Sequence, residues 1–441
     1  MNYKDYFKAK KIAIVGLGPH GEMVADIKFL LRNRADISLF DMRSEKRFKD
    51  IISDLNESGL VNYTFGDVPA SRLAEAQLII ISPEISRNSN FLKIAQEAGV
   101  QIEYPDTLFM RLAPPVTLIG VIGACGKSTV AHLIYNMLKR SFIDYEDQGL
   151  FFIDPDSTNG ALTHLRKIKK GDVLIVRIPE HLLEYYHQMR ISPHVAVITS
   201  LTSLEIQELK SAFKILEFQT YNNFIVAPDE VIDILKSKAL FVPKAKMLRT
   251  HGKTIQNSPD FNINGFHDRE NAALAIQTSE LFKVSSDISH GVVRNFIGLR
   301  GRIELVKRIS GIEYYNDATS TTPRSTLMAL RKLSTNKNII LIFGGAYTGY
   351  DYSELIKNIP QYVSTVILLP GSGTLGIRND IDELSEVKCV QALNLEDAVG
   401  KARENARRGD VILFSPGFDA VGVDISRKER GEKFVKIVRG F

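Results

Sequence analysis

The sequence is poor in cysteine, with only Cys125 and Cys389 among its 441 residues. Two cysteines cannot build the disulfide framework of a small secreted domain, and so few suit a reducing compartment. The first apolar run, KIAIVGLG, is short and contains glycines, so it predicts neither a secretory signal nor a membrane span. We therefore expect a cytoplasmic protein.

A strong excess of one charge is also missing. The chain has 56 basic and 51 acidic residues, a formal net charge of +5. This imbalance is too small to predict a nucleic-acid partner, although it is compatible with anionic small molecules. The sequence contains no fixed-period repeat and no low-complexity tract, so it does not encode a repeat array.

What the sequence does contain is an alternation of β-rich apolar segments with segments of helical periodicity. The alternation predicts parallel sheets flanked by helices, an α/β fold. The predicted strands lie in KIAIVGLG, ISLFD, AQLIIISP, TLIGVIG, DVLIVRI, HVAVITS, NFIVAP, NIILIFGG, STVILLPG and DVILFSPG. The length suggests about three domains. Breaks at RLAPPVT and near NFIGLRGRIE predict domains of residues 1–112, 113–297 and 298–441.

A first glycine motif follows the first predicted strand. Gly16, Gly18 and Gly21 form G-x-G-x-x-G at the start of a predicted helix. Missing side chains let the backbone approach a phosphate, and a helix N-terminus favours negative charge. Asp41 ends the next strand, where its carboxylate can accept hydrogen bonds from a ribose or a base. The pattern predicts a nucleotide site, and the alternative is a tight turn that binds nothing.

A second glycine motif, GVIGACGKST, lies between the strand VTLIGVI and a predicted helix. It ends like a phosphate loop, but Val121 stands where G-x-x-x-x-G-K-[ST] has its first glycine. The context still predicts nucleotide binding. Lys127 would supply a positive charge to the phosphates, and Ser128 or Thr129 would reach a magnesium ion. The backbone cradle would consist of Gly123, Ala124, Cys125 and Gly126. In the segment that follows the loop, apolar residues recur at helical spacing: Val130, Leu133, Ile134, Met137 and Leu138.

Six segments along nearly the whole chain resemble motifs of the Mur ligase family. They are GACGKST, GFHDRENAALA, GLRGRIELV, YYNDATSTTPRST, LIFGGAYTGYD and VILFSPGFDAVGVDISRKERGEKF. The short N-terminal domain with IVGLGPHG and the segment ISPEIS favour the branch that adds D-glutamate to UDP-N-acetylmuramoyl-L-alanine. The resemblance implies a Rossmann-like first domain that binds UDP rather than a nicotinamide cofactor. It also implies a central P-loop ATPase-like domain and a Rossmann-like third domain that brings in the amino acid.

The same resemblance implies a set of site residues. Catalysis would depend on Lys127, on a carbamate carried by Lys214, and on Asp317, which would couple the third domain to ATP. Asn271 and Arg302 would hold ATP together with the second glycine loop. The substrate-binding residues would be Gly16, Gly18, Gly21, Asp41, Ser82, Asn159 and Ser415.

Several positions depart from the family pattern. Arg177 stands where a magnesium-binding glutamate is expected, and Glu205 stands where the family has a metal-binding histidine. Two explanations stay open: Arg177 replaces a second magnesium ion by its own charge, or Glu180 and Glu205 rebuild the metal site. Lys214 could equally be an ordinary solvated helix lysine. Thr319 and Thr348 occupy two positions where the family has lysine, and Ala420 replaces a substrate-binding serine.

The chemistry implied is amide formation for peptidoglycan synthesis. ATP would convert a carboxylate into an acyl phosphate, which an amine then attacks, with Mg²⁺ and Lys127 stabilising the phosphoryl oxygens. Two other functions remain open. Thr348 and Ala420 would suit a related ligase that uses another amino acid, whereas Arg177 and Ser200 would suit a nucleotide-binding protein that has lost catalysis.

Overall fold

A computed structural model describes residues 3–18, 21–60, 62–83, 85, 89–142, 149–155, 157, 159–201, 206–238, 243–251, 266–296, 298–334, 336–346, 349–418 and 427–441. The chain divides into two compact units, Met1–Phe296 and Ile297–Phe441. Helices alternate with mainly parallel strands in both, so the predicted α/β fold class is confirmed. In the described ranges no helix has the length and hydropathy needed to cross a membrane.

The N-terminal part of the first unit contains a five-stranded sheet. Its strands are β1 (Lys11–Val15), β2 (Asp36–Asp41), β3 (Asn62–Phe65), β4 (Leu78–Ile81) and β5 (Gln101–Glu103). Its helices are α1 (Tyr3–Phe7), α2 (Val24–Arg32), α3 (Lys49–Glu57), α4 (Ala70–Ala74), α5 (Asn90–Glu97) and α6 (Pro105–Leu112). The strand order is β3-β2-β1-β4-β5, and all pairs are parallel. The order reverses between β1 and β4, and such a switch point is where open α/β sheets bind ligands.

The rest of the first unit contains a six-stranded sheet. Its strands are β6 (Thr117–Ile122), β7 (Leu150–Ile153), β8 (Val173–Arg177), β9 (Val195–Ile198), β10 (Phe224–Pro228) and β11 (Lys246–Thr250). Its helices are α7 (Lys127–Ser141), α8 (Leu183–Gln188), α9 (Ile206–Lys214), α10 (Asp229–Lys238), α11 (Phe266–Glu280) and α12 (Ser286–Arg294). The order is β11-β10-β9-β6-β8-β7, and all pairs are parallel. Strand β6 therefore lies inside the sheet and carries the second glycine motif at its carboxyl end.

The core of the first unit explains why these segments fold as they do. The five apolar residues predicted on one face of α7 are all buried: Val130, Leu133, Ile134, Met137 and Leu138. A helix can bury such a face because residues three and four apart lie on the same side. A separate hydrophobic cluster is continuous between the two sheets, joining Phe109 of α6 to Leu162 and Leu183. The domain boundary expected near residue 112 falls between the sheets, inside this unit, and stays a prediction.

The second unit contains one six-stranded sheet. Its strands are β12 (Glu304–Ile309), β13 (Ile312–Asn316), β14 (Ile339–Phe343), β15 (Val363–Leu368), β16 (Lys388–Gln391) and β17 (Val411–Phe414). Its helices are α13 (Pro323–Leu333), α14 (Ser353–Tyr362), α15 (Ser372–Asp382), α16 (Leu395–Asn405) and α17 (Arg427–Arg439). The order is β12-β13-β17-β14-β15-β16, and only the edge pair β12 and β13 is antiparallel. Helix α13 begins with a capping box between Thr322 and Ser325 and has Pro323 in its first turn.

Candidate active site

The second glycine motif forms a tight loop between β6 and α7. Gly123 and Gly126 have φ angles of +127° and +83°, a region that favours glycine. A Cβ atom at Gly126 would overlap the side-chain oxygen of Asn271, and one at Gly123 would overlap the Thr199 hydroxyl. Val121 is a buried residue of β6, so the position of the missing first glycine lies inside the strand. The loop is therefore shorter than the full sequence pattern.

Two residues after β9 fix this loop from the side. The amide of Ala124 donates to the Ser200 carbonyl at 2.7 Å, and the Thr199 hydroxyl donates to the Cys125 carbonyl at 2.5 Å. Sequence reasoning missed the role of Thr199, whose only local signal is a hydroxyl residue at the carboxyl end of a strand. Asn271, predicted to hold ATP, lies against Gly126 from helix α11.

Lys127 turns back over the loop. Its ammonium donates to the Gly123 carbonyl at 2.5 Å and to Glu180 Oε1 at 2.5 Å. Burial lowers the pKa of Lys127, the ion pair with Glu180 opposes that effect, and the nearby charge of Arg177 lowers it further. The predicted metal ligand Glu180 is thus placed beside the phosphate loop, where it is the counter-charge of Lys127.

Arg177 ends strand β8 and is only 6% exposed. Its Nε donates to Asp154 Oδ1 at 2.7 Å. Asp154 directly follows β7, the edge strand that pairs with β8, so the two strand ends hold the pair side by side. Asp154 lies in no recognisable sequence motif, so the sequence did not predict it as a site residue.

The other predicted metal ligands are Ser128, Thr129 and Glu205. Ser128 and Thr129 lie in the first turn of α7, directly after the loop. Glu205 lies outside the described residues. Within the described ranges, no three His, Cys, Asp or Glu side chains group as metal ligands would.

Lys214, predicted to carry a carbamate, is paired with a carboxylate. Its ammonium donates to Glu184 Oε1 at 3.4 Å, and Ser211 donates to the other oxygen of Glu184 at 3.2 Å. The unmodified side chain is thus within reach of Glu184, and the carbamate stays a prediction. Sequence reasoning did not identify Glu184.

The first glycine motif lies at the switch point of the five-stranded sheet. Gly16, Gly18 and Gly21 have φ angles of 83°, 83° and 79°. Asp41 accepts hydrogen bonds from the Leu17 amide at 2.9 Å and from Arg43 Nη2 at 2.6 Å. Burial alone would raise the pKa of Asp41, but the bonds from Arg43 and Leu17 hold it below its usual value. The carboxylate therefore stays ionised and organises the loop.

Ser82 follows β4 at the same switch point. A Cβ atom at Gly16 would touch Ser82, so the two strand ends are close together. The Ser82 side chain is buried, and its hydroxyl has no hydrogen-bond partner in the described part of the chain. A buried hydroxyl without a partner suits a position that a ligand completes.

A cavity lies at the junction of the two sheets of the first unit. It is lined by Glu22 and Asp26 from the first glycine loop and α2, by Pro83, by Pro105 and Asp106 of α6, and by Asp154, Ser157, Asn159 and His164. The predicted substrate residue Asn159 is thus brought to the same cavity as Pro83, the neighbour of Ser82. Leu162 donates its amide to Asp26 Oδ1 at 2.8 Å, which ties the two halves together.

In the second unit, Asp317 and Ser415 form one buried network. Ser415 Oγ donates to Asp317 Oδ2 at 2.7 Å, and the Ile303 amide donates to Oδ1 at 3.1 Å. Burial raises the pKa of Asp317 to about 6, although these bonds and the nearby Arg302 act in the opposite direction. Arg302 itself is exposed. Thr348 and Ala420 lie outside the described residues.

Arg430 of α17 supports this network from behind. Its Nη2 donates to the carbonyls of Ala318 at 2.9 Å and Phe418 at 3.0 Å. Thus one buried guanidinium joins the segment after Asp317 to the segment after Ser415. Arg430 lies in a sequence segment that resembles a Mur ligase motif, but the resemblance assigned no role to this arginine.

The fold and these two loops define an α/β protein with one glycine loop between β6 and α7 and another at the switch point of a neighbouring parallel sheet. Residues 10–103 match the family model of the Mur ligase MurD-like N-terminal domain, and residues 301–418 match that of the Mur ligase glutamate ligase domain. Both matched models describe Mur ligase domains, in agreement with the resemblance that the motifs predicted.

Relatives of similar length support this assignment. The UDP-N-acetylmuramoylalanine–D-glutamate ligase of Roseiflexus sp. (strain RS-1) is 28% identical, with 98% of this chain and 99% of that protein covered. The ligase of the same name from Bdellovibrio bacteriovorus is 27% identical, with 100% of both covered.

Solved structures support the fold. The UDP-N-acetylmuramate-alanine ligase MurC of Thermotoga maritima aligns with a TM-score of 0.59 at 17% identity, covering 98% of this chain and 99% of that one. The MurF ligase of Thermotoga maritima, solved in complex with ADP, aligns with a TM-score of 0.53 at 15% identity, covering 100% of this chain and 96% of that one.

Proposed function

We propose that this chain joins D-glutamate to UDP-N-acetylmuramoyl-L-alanine in an ATP-dependent step of peptidoglycan precursor synthesis. The observation that carries the proposal is a continuous path of charged groups in the first unit. Lys127 at the phosphate loop is near Arg177, Arg177 is bonded to Asp154, and Asp154 lines the cavity that also holds Asn159. A nucleotide site and an acceptor site are thus neighbours, as transfer of a phosphoryl group requires.

The three predicted regions then have separate tasks. Residues 1–112 bind the UDP moiety through the Gly16 to Gly21 loop and Ser82. Residues 113–297 bind ATP, and residues 298–441 supply the amino acid, with Asp317 and Ser415 at the buried end of that region's site. The proposed compartment is the cytoplasm, where ATP is available.

The reaction couples two steps. An oxygen of the alanyl carboxylate forms a bond to the γ-phosphorus as the bond from that phosphorus to the bridging oxygen breaks, and ADP leaves with the electron pair. The amine of D-glutamate then attacks the acyl carbon, phosphate leaves with the C–O electron pair, and the amine loses a proton to solvent. Lys127 neutralises charge on the phosphoryl oxygens in the first step.

Magnesium fits one part of this arrangement. The hydroxyls of Ser128 and Thr129 at the start of α7 are oxygen donors of the kind that Mg²⁺ prefers beside nucleotide phosphates. Bound there, the ion would supply charge neutralisation to the phosphates. Phosphate oxygens bound in this loop would compete with the Gly123 carbonyl and with Glu180 for the Lys127 ammonium.

The test is phosphate release from ATP in the presence of UDP-N-acetylmuramoyl-L-alanine and a panel of amino acids. Release that depends on D-glutamate supports the proposal. Release with a different amino acid would favour a ligase of other specificity, and nucleotide binding without release in the whole panel would favour an inactive homologue.

A matched pair of variants separates the two sites. Lys127→Ala is expected to abolish turnover while leaving the affinity for the UDP precursor within about twofold, because the first glycine loop is untouched. Lys139→Ala, an exposed lysine of the same helix, is the control and is expected to keep wild-type turnover. Calorimetry in which folded Lys127→Ala loses both ligands would contradict the separation of sites.

A further inference from the structure

Arg177 is a buried cation at a strand end beside the loop that follows β6. Val121 of β6 is in register with Arg177 of β8, so Arg177 emerges at the same carboxyl edge of the sheet as the loop that follows β6. An arginine does not lose its proton in a protein, so a full positive charge is fixed at this edge.

The charge is oriented by a neighbour on the next strand. Asp154 accepts the Nε bond at 2.7 Å, and Asp154 itself is largely buried. A guanidinium is planar and rigid, so a bond at Nε restrains the direction of the whole group. Asp154 therefore sets where the positive charge points as well as balancing it.

Among the residues that the structure describes at this edge, the side chains do not form a ligand set for a second divalent cation. A guanidinium has no lone pair to offer a metal ion, and the carboxylate of Glu180 is bonded to the Lys127 ammonium. No group of three metal-binding side chains occurs in the described ranges. The described charged side chains here include two ion pairs, Lys127 with Glu180 and Arg177 with Asp154.

The position also connects the two ligands. Asp154 lines the cavity that contains Asn159, and Arg177 is close enough to Lys127 for its charge to be felt there. A group between a nucleotide loop and an acceptor cavity lies where the transferred phosphoryl group passes. Negative charge is greatest at that point, because carboxylate and triphosphate approach each other.

We propose that Arg177 contacts the transferred phosphoryl group and replaces a second metal ion in the ligation reaction, with Asp154 as its positioning residue. This rests on the proposed function. In the step served, the acceptor carboxylate oxygen bonds to the γ-phosphorus while the bond to ADP breaks. Arg177 keeps its proton and only neutralises oxygen charge.

The first test measures binding rather than turnover. The probe is a non-hydrolysable ATP analogue titrated by calorimetry at fixed magnesium. Loss of one charge-assisted contact in Arg177→Gln is expected to weaken binding by about 10- to 100-fold. Arg140→Gln, an exposed arginine of α7, is the matched control and is expected to bind like wild type. Binding of Arg177→Gln within about twofold of wild type would overturn the proposal.

The second test exchanges the arginine for a carboxylate. Arg177→Glu is expected to raise the magnesium concentration for half-maximal turnover by about tenfold, because a positive charge beside the phosphates becomes negative. An unchanged magnesium dependence would argue against the replacement of a metal ion. If wild type releases no phosphate with any substrate, the proposed function fails, and the binding test still decides the role of Arg177.

The third test concerns Asp154. Asp154→Asn keeps the size of the side chain and removes its charge, and kcat is expected to fall at least about tenfold with a smaller change in KM for ATP. Asp154→Glu should recover part of kcat, which a merely structural role would not produce. The double variant Arg177→Gln/Asp154→Asn leaves no buried charge unpaired and serves if Arg177→Gln does not fold. Wild-type analogue binding by that folded double variant would refute the assignment.

Discussion

The carboxyl group of Asp26 offers a pH-dependent test of how the two sheets of the first unit are joined. Asp26 is a buried residue of α2, and it accepts the Leu162 amide at 2.8 Å from the other half of the unit. Burial raises its pKa from 3.8 to about 7; hydrogen bonds from Leu162 and Ala161 oppose the shift, and the charge of Asp106 adds to it. Folding therefore favours the protonated form.

The sign and size follow from these values. A carboxyl group whose pKa is higher in the folded protein costs no stability below pH 3.8, and the cost grows as pH rises to about 7. The difference between the two values corresponds to about 4 kcal/mol when Asp26 is fully ionised. At pH 5 the cost is only about 2 kcal/mol on the same scale.

The perturbation is Asp26→Asn, which keeps an oxygen for the Leu162 amide and removes the ionisable group. We expect it to stabilise the protein by about 2 to 3 kcal/mol more at pH 8 than at pH 5. The assay is urea unfolding of wild type and variant at both pH values. Asp50→Asn, an exposed residue of α3, is the control and should show no such difference. The reasoning is refuted if Asp26→Asn changes the unfolding free energy equally at pH 5 and pH 8.

Three further outcomes are expected. Gly126→Ala should abolish ATP binding measured by calorimetry, because its Cβ would overlap Asn271 and φ is +83°. The control Gly376→Ala, in an open position of α15, should stabilise the protein in thermal unfolding by up to about 1 kcal/mol. ATP binding by Gly126→Ala would contradict the loop geometry. Ser415→Ala should raise the pKa of Asp317 above about 6, because the hydrogen bond from Ser415 is lost. The free energy of unfolding should fall by about 1 to 3 kcal/mol, and by more at pH 8 than at pH 5. An equal loss at both pH values in chemical unfolding would contradict this. The loop containing Gly16 should bind UDP and not a nicotinamide cofactor, and micromolar NADH binding without competition by UDP would exclude that assignment.

The class of fold could be predicted from the sequence because buried parallel strands are continuous apolar runs. All ten predicted strand segments contain strands, namely β1, β2, β4, β6, β8, β9, β10, β14, β15 and β17. Seven strands in the described part of the chain were missed, and six of them are the edges of the three sheets: β3, β5, β7, β11, β12 and β16. An edge strand is partly exposed and takes polar residues, so NYTF or KMLRT lacks the apolar signal.

The candidate site was likewise predicted only in part from the sequence. The two glycine loops were found because strand, glycine turn and helix are adjacent in the chain, so their geometry is encoded locally. The residues that pair beside these loops were not found, because they are distant from each other in the chain. Asp154 and Arg177 are separated by 23 residues, and Thr199 and Cys125 by 74 residues. No local pattern specifies which distant strand end will lie alongside.

The sequence by itself determined the alternation of strands and helices, the glycine loop before Lys127 and the resemblance to Mur ligase domains. Only the tertiary structure decided which charges are paired: Glu180 with Lys127, Glu184 with Lys214, and Asp154 with Arg177. The physical reason is that a buried charge must find its counter-charge in space, and the order of strands in a sheet, rather than their order in the chain, decides which one is within reach.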